Sequence, residues 1–573
     1  MKNSIKIALL SICAVVLVSC GDKFLTQDPY GSTITQEQFS KLSNQLEGSM
    51  RGIYSMMYTV TDHDEFGKRS IDMYCDLLSG DMALTNYNYG WFYTDERGLS
   101  ATYRNGYIWA YYYGMLRNVN SVIASAQATG DANTNVITRI NKNGLPNKLG
   151  KDANKNDTYF NIVGADTLDT FTEDEASIAY FYAQALAMRG YIYSNLVMLF
   201  CETPRNIKDF KTELCFPMYN ETNMEAAQGM AVMSDVYKQI ESDLTSAIQY
   251  LEAFHGITRN SKLEIDANVA RGILAYSYLN KGNTVNTASE MSRNAYAKAL
   301  QYAGEAIQGT DCMILPIRDL CETGFNDVNN VSWMWAQDVT TETAGGLASW
   351  FGQCDIHSYS YAWSGDTKAI DENLYKLIAD ADTTSAGEFK GHPFDARINW
   401  FNDGKQNATY KYCPDGKFYS AKARKSTKAD DIDREWLSDN VFMRIESMYL
   451  IAAEAAYRLT KYDSAAIFLT AITDERVLSG MDSLYTVYKT GLNSTNLLQE
   501  IEYNWRVELW GEGYALMTFR RLGPEILAKT ERRRGANHAS SGGSKIEAGG
   551  SQYIYVIPSS ESSYNPKIGT TTL

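Results

Sequence analysis

Apolar residues recur at helical spacing along much of the chain. Val236, Ile240, Leu244, Ala247, Ile248 and Leu251 follow one another at steps of 4, 4, 3, 1 and 3, which places them on one face of a helix. Thr172-Glu173-Asp174-Glu175 has the form of a capping box and opens a helix running towards Phe200. The same periodicity predicts helices over about 35–58, 104–128, 265–281, 294–308, 441–459, 461–477 and 496–512. They fall into pairs with short connections, as in 265–281 with 294–308 and 441–459 with 461–477. Paired helices with small and aromatic residues at helical spacing predict tetratricopeptide-like units, in degenerate form.

Other segments break this pattern. Residues 129–170 are polar and rich in Asn, Asp and Gly, which reads as a long loop or insertion. Residues 310–440 mix short β-like runs with turns and aromatics. Residues 530–552 are small and polar, a flexible loop, and Tyr553 to Pro558 reads as a short strand. The expected fold class is mostly α. Tetratricopeptide-like repeats over about 173–308 and 441–523 form a scaffold, and a loop-rich lobe over about 60–103 and 310–440 carries short β-hairpins. Residues 35–573 read as a single domain.

The first residues have a different logic. Lys2 and Lys6 precede an almost wholly apolar run from Ile7 to Val18, too short to span a bilayer. Leu17-Val18-Ser19-Cys20 resembles a bacterial lipobox, in which the cysteine is acylated and cleavage precedes it. Residues 1–19 then read as a signal peptide, Cys20 as the lipidated residue, and 20–34 as a tether broken by Pro29 and Gly31. Several acyl chains on one cysteine anchor a protein stably without a spanning helix. Seven cysteines remain, Cys75, Cys201, Cys215, Cys312, Cys321, Cys354 and Cys413, without metal-like spacing. Cys312 and Cys321 are close enough to be bridged; buried free thiols are the plainer reading.

Composition narrows function mainly by exclusion. The 573 residues carry 68 Asp and Glu against 53 Lys and Arg, a formal net charge of −15. A nucleic-acid partner would require a basic footprint, which is lacking. No HExxH, GxSxG or P-loop pattern occurs, and the histidines at 63, 255, 357, 392 and 538 are scattered, so no metal, cofactor or catalytic residue is assigned. A glycosidase would need two positioned carboxylates, for which the chain offers no positive sign.

Aromatic residues are the unusual feature: 40 Tyr, 20 Phe and 10 Trp. Tyr87, Tyr89, Trp91 and Tyr93 occupy alternate positions and, if extended, would share a face. Trp333 with Trp335, and Tyr359, Tyr361 and Trp363, do the same. Asp81, Asn86 and Asn88 lie near the first row as polar partners. Sugar rings have apolar C–H faces and polar rims, so flat rings flanked by carboxamides suit them. Each row also reads as a core segment; Trp333 and Trp335 look like a central strand, whereas the glycine and asparagines around Tyr87 to Tyr93 suit a surface loop. The ligand-binding candidates are Trp91, Tyr89, Tyr93, Asp81, Asn88, Trp333, Trp335, Tyr361 and Trp363.

Taken in order, several stretches resemble the SusD/RagB family of nutrient-binding lipoproteins. Phe24-Leu25 to Pro29 is similar to the start of the mature family proteins. Ala183-Gln184-Ala185 through Arg189-Gly190-Tyr191, Val236-Tyr237 through Ala247-Ile248, and Ala270 through Tyr278-Leu279 resemble its repeat helices. So do Arg444-Ile445-Glu446 and Ala453-Glu454-Ala455. Arg506-Val507-Glu508-Leu509, Glu512-Gly513, Arg521-Leu522-Gly523 and Ile557-Pro558 to Asn565-Pro566 resemble its C-terminal signatures. Gln184, Asn504-Trp505 and Thr518 depart from the usual pattern. Arg506, Glu508 and Glu512 read as buried or half-buried ion pairs that lock helices. The resemblance implies a surface protein, lipid-anchored in the outer membrane, that binds an oligosaccharide through aromatic loops and passes it to a SusC-like TonB-dependent transporter. Some relatives are associated with peptides, which leaves that ligand class open. The family's binding residues vary, so none is transferred to this chain.

Overall fold

The computed structural model describes residues 45–96, 104–128, 135–255, 262–321, 325–380, 391–420, 437–528, 531–547 and 553–568. The expected signal peptide, Cys20 and the tether lie outside the described residues. The principal helices are α1 (Gln45–Met56), α2 (Lys68–Ser79), α3 (Arg104–Ala128), α4 (Glu173–Phe200), α5 (Met233–Ala253), α6 (Ala267–Lys281), α7 (Glu290–Gly309), α8 (Ile445–Arg458), α9 (Tyr462–Thr473), α10 (Leu497–Glu508) and α11 (Ala515–Ile526). No helix among the described residues is long and apolar enough to cross a membrane.

Helix α4 starts where the capping box predicts. The Thr172 hydroxyl accepts from the Glu175 N–H at 3.3 Å, and the Glu175 carboxylate accepts from the Thr172 N–H at 2.9 Å. Gly190 lets α5 come close: a Cβ there would stand 2.5 Å from Leu244 Cγ. Beside it, Arg189 forks onto Asp243 at 2.8 and 2.7 Å, joining the two helices by a bidentate pair.

The stack then continues without interruption. Helix α4 packs on α5, α5 on α6, α6 on α7, α7 on α8 and α8 on α9. The contact of α7 with α8 is direct although residues 310–444 separate them in sequence. That stretch leaves the stack, builds the loop-rich part, and returns. This is the tetratricopeptide-like scaffold expected, opened once between two helices.

Some expectations change. Residues 441–444 are not helical; Asn440–Arg444 is a strand antiparallel to Trp333–Gln337, with Val441 opposite Ala336. Residues 129–170 are not a plain loop. They contain a helix at Val136–Asn143, capped by Asn135, and a three-stranded antiparallel sheet of Lys148–Lys151, Asp157–Val163 and Asp166–Phe171. Their polar residues cover the solvent side, while Tyr159 and Phe171 bury against Phe254. Tyr553 to Pro558 forms no strand; Tyr553 and Tyr555 are buried anchors, and the Tyr555 N–H donates to Leu199 O. Residues 532–546 fold back as a short hairpin, with Arg532–Arg533 opposite Lys545–Ile546. Helices α2 and α11 lie outside the predicted helices, and nearly every residue of both is buried. All seven cysteines of the described residues are free thiols; Cys312 Sγ donates to Trp333 O rather than bonding Cys321.

The scaffold is tied to the excursion by buried charge. Glu508, at the end of α10, accepts from Arg397 at 3.1 Å, Arg444 at 3.0 Å and Arg476 at 2.9 Å. Glu512 accepts from Arg444 at 2.9 Å and Lys417 at 2.7 Å. Glu446 forms an ion pair with Arg444 at 2.9 Å, and Asp395 accepts from Arg397 at 2.5 Å. All eight side chains are buried, four cations against four carboxylates. Burial acts to raise the pKa of Glu508, but Arg476, Arg444 and Arg397 outweigh it and hold the carboxylate well below its usual range. The charges come from the strand Asn440–Arg444, α8, the end of α10 and the turn after it, the turn after α9, and the 395–417 segment, so all of these must be in place together.

Removing one cation from such a cluster leaves carboxylates buried against each other. Arg444→Ala is expected to lower unfolding free energy by about 3–5 kcal/mol in urea titrations. A loss below about 1 kcal/mol would show that the cluster does not join the two parts.

Candidate ligand-binding site

A two-stranded pairing brings distant loops together. Strand Met82–Leu84 runs antiparallel to Lys368–Ile370, with Leu84 opposite Lys368 and Met82 opposite Ile370. The ladder continues as the Thr85 N–H donates to Thr367 O at 2.8 Å. Asn88 Nδ2 donates to Ser364 O at 3.1 Å. Gly365, at φ +96°, makes room for that carboxamide; a Cβ there would lie 2.3 Å from Asn88 Nδ2. Residues 85–93 and 358–367 therefore lie side by side. A third loop, His63 at the tip of the hairpin Val60–Asp62 and Glu65–Phe66, completes the group.

Four rings form one cluster, and two further pairs belong to the same loops. His63 stacks on Trp91 with centroids 5.3 Å apart and planes 25° apart. Tyr361 meets His63 at 5.6 Å, Trp91 at 6.2 Å and Tyr89 at 4.9 Å, each edge-on. The Tyr361 hydroxyl and His63 Nδ1 are 2.8 Å apart. Tyr87 packs on Tyr93 at 4.8 Å, and Tyr359 on Trp363 at 5.0 Å. Tyr87, Tyr89 and Trp363 are 43%, 52% and 46% exposed, so the cluster offers open ring surface. Burial raises the Tyr361 phenol above its ordinary pKa, opposed in part by the Trp91 indole N–H beside it.

Buried charges hold these loops in place. Arg104 donates from Nη2 to Asp64 at 2.7 Å, to Asp95 at 3.1 Å and to the Trp91 carbonyl at 2.7 Å, and from Nη1 to the Tyr74 hydroxyl at 3.1 Å. One guanidinium thus joins the His63 hairpin to the Trp91 turn. On the other side, Lys368 bonds Asp366 and Gln353, each at 2.9 Å, and Gln353 Nε2 donates to His63 O at 2.7 Å. Underneath, Arg506 pairs with Asp81 at 2.6 Å, and Trp510 Nε1 donates to Asp81 O at 3.0 Å. Rigid charged supports of this kind let loops present side chains at fixed positions.

The predicted site residues divide. Trp91, Tyr89 and Tyr361 come together, although 276 residues separate Asn88 from its partner Ser364, and Trp363 pairs with Tyr359 on the Tyr361 loop. Tyr93 is half-buried against Tyr87 and the core. Asn88 is exposed and ties the two loops. Three expectations are overturned. Asp81 is buried beneath the site in its ion pair with Arg506, because its carboxylate balances that cation. Trp333 and Trp335 are fully buried in the strand facing Asn440–Arg444, with Trp335 packed against Tyr191 and Phe442, so neither reaches a ligand. Nor is the Tyr87 to Tyr93 row an extended strand. It is a loop, a turn and the start of a short helix, so its rings split between two clusters. His63 belongs to the site, and the sequence marked it only as one of the scattered histidines. Arg104 carried no signal.

Three clefts and cavities of the molecule are not lined by these rings. Beyond the loop crossing lies a polar cleft of about 420 Å³ lined by Thr85, Asn86, Thr367, Lys411 and Asn537. A cavity in the scaffold, beside Tyr191, Trp335 and Met448, measures only about 80 Å³, below the size of ordinary ligand sites. A larger cleft of about 780 Å³ is bordered by Asn399, Asn402, Asp403 and Asp415, and its rings, Tyr375 and Phe401, are buried. Among the described residues, no group of His, Cys, Asp and Glu is arranged to hold a metal ion.

A helical-repeat scaffold that presents a loop-borne arc of aromatic rings defines the class. The chain belongs to the SusD family, whose model matches residues 273–568. A second model, described as starch-binding and associating with the outer membrane, matches residues 151–274. No curated protein matches the sequence. Among solved structures, the chain is similar to a SusD-like carbohydrate-binding protein from Bacteroides vulgatus, at 20% identity and a TM-score of 0.63, covering 92% of this chain and 97% of that one. A SusD superfamily protein from Bacteroides thetaiotaomicron has 17% identity and a TM-score of 0.63, with 92% and 98% covered. A third, solved with a xylogluco-oligosaccharide, has 15% identity and a TM-score of 0.57, with 92% and 99% covered.

If Arg104 holds the rings, weakening its fork will loosen them without dissolving the scaffold. Arg104→Lys keeps the charge and loses the multiple donors. Amide hydrogen exchange is expected to speed up at least about tenfold in residues 62–66 and 90–96, with α10 unchanged. Unaltered exchange in both loops would remove Arg104 from this role.

Proposed function

We propose that this protein is a surface glycan-binding lipoprotein that captures oligosaccharides on its aromatic cluster. The observation that carries this reading is the convergence of Tyr89, Trp91 and Tyr361 from two distant loops into one partly open group of rings, with the Tyr359–Trp363 pair on the same loop as Tyr361. A solved relative that carries a xylogluco-oligosaccharide supports a sugar as the ligand class. Binding without bond cleavage is supported by the neighbouring carboxylates. Asp64 and Asp95 lie against Arg104 and Asp366 against Lys368, and all three are buried beneath the rings, out of reach of a bound glycosidic bond.

The magnitudes fit reversible capture. Two or three stacked rings contribute about 0.5–1.5 kcal/mol each, and a few hydrogen bonds about 1 kcal/mol each. Together these give roughly millimolar to ten micromolar affinity. Weak binding permits hand-off, and the proposal includes delivery to a SusC-like TonB-dependent transporter in the outer membrane, with Cys20 carrying the lipid anchor. The outer-membrane association in the matched family description supports that location.

A glycan array followed by calorimetry tests the ligand. Trp91→Ala is expected to weaken binding by up to about tenfold, since one ring contributes up to about 1.5 kcal/mol. Unchanged affinity for every bound glycan would refute the assignment, and selective binding of peptides instead would change the ligand class. For the partner, affinity purification of the full-length chain from detergent-solubilised outer membranes is expected to recover a large β-barrel protein. Repeated recovery of the chain alone would remove the transporter from the proposal.

A further inference from the structure

Among the rings of the cluster stands one group that is not merely flat. His63 is half-buried, stacked on Trp91, and bonded through Nδ1 to the Tyr361 hydroxyl at 2.8 Å. The direction of that bond follows from its surroundings. Tyr361 is 8% exposed, and among the described residues the one acceptor within hydrogen-bond reach of its hydroxyl is His63 Nδ1. The Trp91 indole N–H, which lies beside the phenolic oxygen short of full hydrogen-bond geometry, is a donor and has no lone pair to offer. His63 Nδ1 is therefore the acceptor, and the Tyr361 O–H donates to it. A neutral imidazole that accepts at Nδ1 carries its proton on Nε2. Nε2 has no partner among the described residues.

We propose that His63 is a ligand-binding residue of the platform, a hydrogen-bond donor whose tautomer is set by Tyr361. This rests on the glycan reading and deepens it. A ring stacked on Trp91 or Tyr89 would present a rim oxygen, either a hydroxyl or the ring oxygen, to Nε2–H. The group is prepared before the ligand arrives. The backbone of His63 is fixed by Gln353 through its carbonyl and by Asp62, whose Oδ1 accepts the His63 N–H at 2.7 Å. The next residue, Asp64, is fixed by Arg104. A donor held this way loses little freedom on binding, which favours a contact in an otherwise weak site. It also selects: a neutral sugar with an acceptor at that edge is taken, and a group that can only donate is refused.

The tautomer can be read without any ligand. The chain has five histidines, so long-range proton–nitrogen correlation spectra of histidine-labelled protein are tractable. The expected spectrum shows His63 protonated at Nε2 and bare at Nδ1, with that preference weakened in Tyr361→Phe. A proton on Nδ1 in the wild type would overturn the proposal. Calorimetry with maltoheptaose and a xylogluco-oligosaccharide tests the contact. His63→Phe keeps a flat ring and removes the donor, and is expected to bind whichever probe the wild type binds about five- to twentyfold more weakly. His63→Asn, which keeps a donor, is expected to fall between the two. Equal affinity of wild type and His63→Phe would also overturn the proposal. Failure of the wild type to bind either probe would count against the glycan reading, while the ligand-free spectrum would still accept or reject the oriented donor.

Discussion

Glu508, fully buried, receives three guanidinium groups, and much of the architecture is arranged around that fact. A carboxylate buried alone would cost several kcal/mol, and so would each arginine. Together the four cations and four carboxylates satisfy one another, but only when the strand Asn440–Arg444, α8, the end of α10 and the turn after it, the turn after α9 and the 395–417 segment are all in position. The cluster adds less to net stability than to specificity, since a partial assembly leaves charge unpaired in the interior. It is the point at which the helical stack fixes the long excursion that leaves between α7 and α8.

Buried charge is used twice more on the way to the surface. Arg506 and Asp81 couple α10 to the strand Met82–Leu84, and that strand carries the Tyr89–Trp91 loop beside the Tyr361 loop. Arg104 then joins the Trp91 turn to the His63 hairpin. Positions along this path are set by charge-assisted bonds of narrow geometry, which hold long irregular loops better than apolar contact alone. Loops without regular secondary structure can thereby present rings at fixed spacing. The resulting cluster is open enough for stacking and firm enough that little order must be created when a ligand arrives.

Much of the scaffold could be read from local pattern. The capping box at Thr172, the stripe from Val236 to Leu251 and the paired helices all depend on contacts within a few residues, so spacing alone reveals them. The ordered C-terminal motif was equally legible, and Glu508 and Glu512 are the buried anions expected. Legibility failed where burial was complete or polarity misleading. Helix α2 is buried on nearly every side, and the sheet within 148–171 keeps its polar residues outward while Tyr159 and Phe171 point in.

Alternation of aromatic residues was the weaker guide. It describes which side chains share a face of an extended chain, and says nothing of what that face meets. Trp333 and Trp335 and the Tyr89–Trp91 loop looked alike on this test, yet the first pair lies in the core and the second beside solvent. The sequence alone determined the helical-repeat class, the family resemblance and the wealth of rings, because periodicity and local motifs are short-range properties. Tertiary structure alone decided which rings are open, that His63 stands among them, and that Asp81 serves Arg506, because exposure and pairing depend on residues hundreds of positions away.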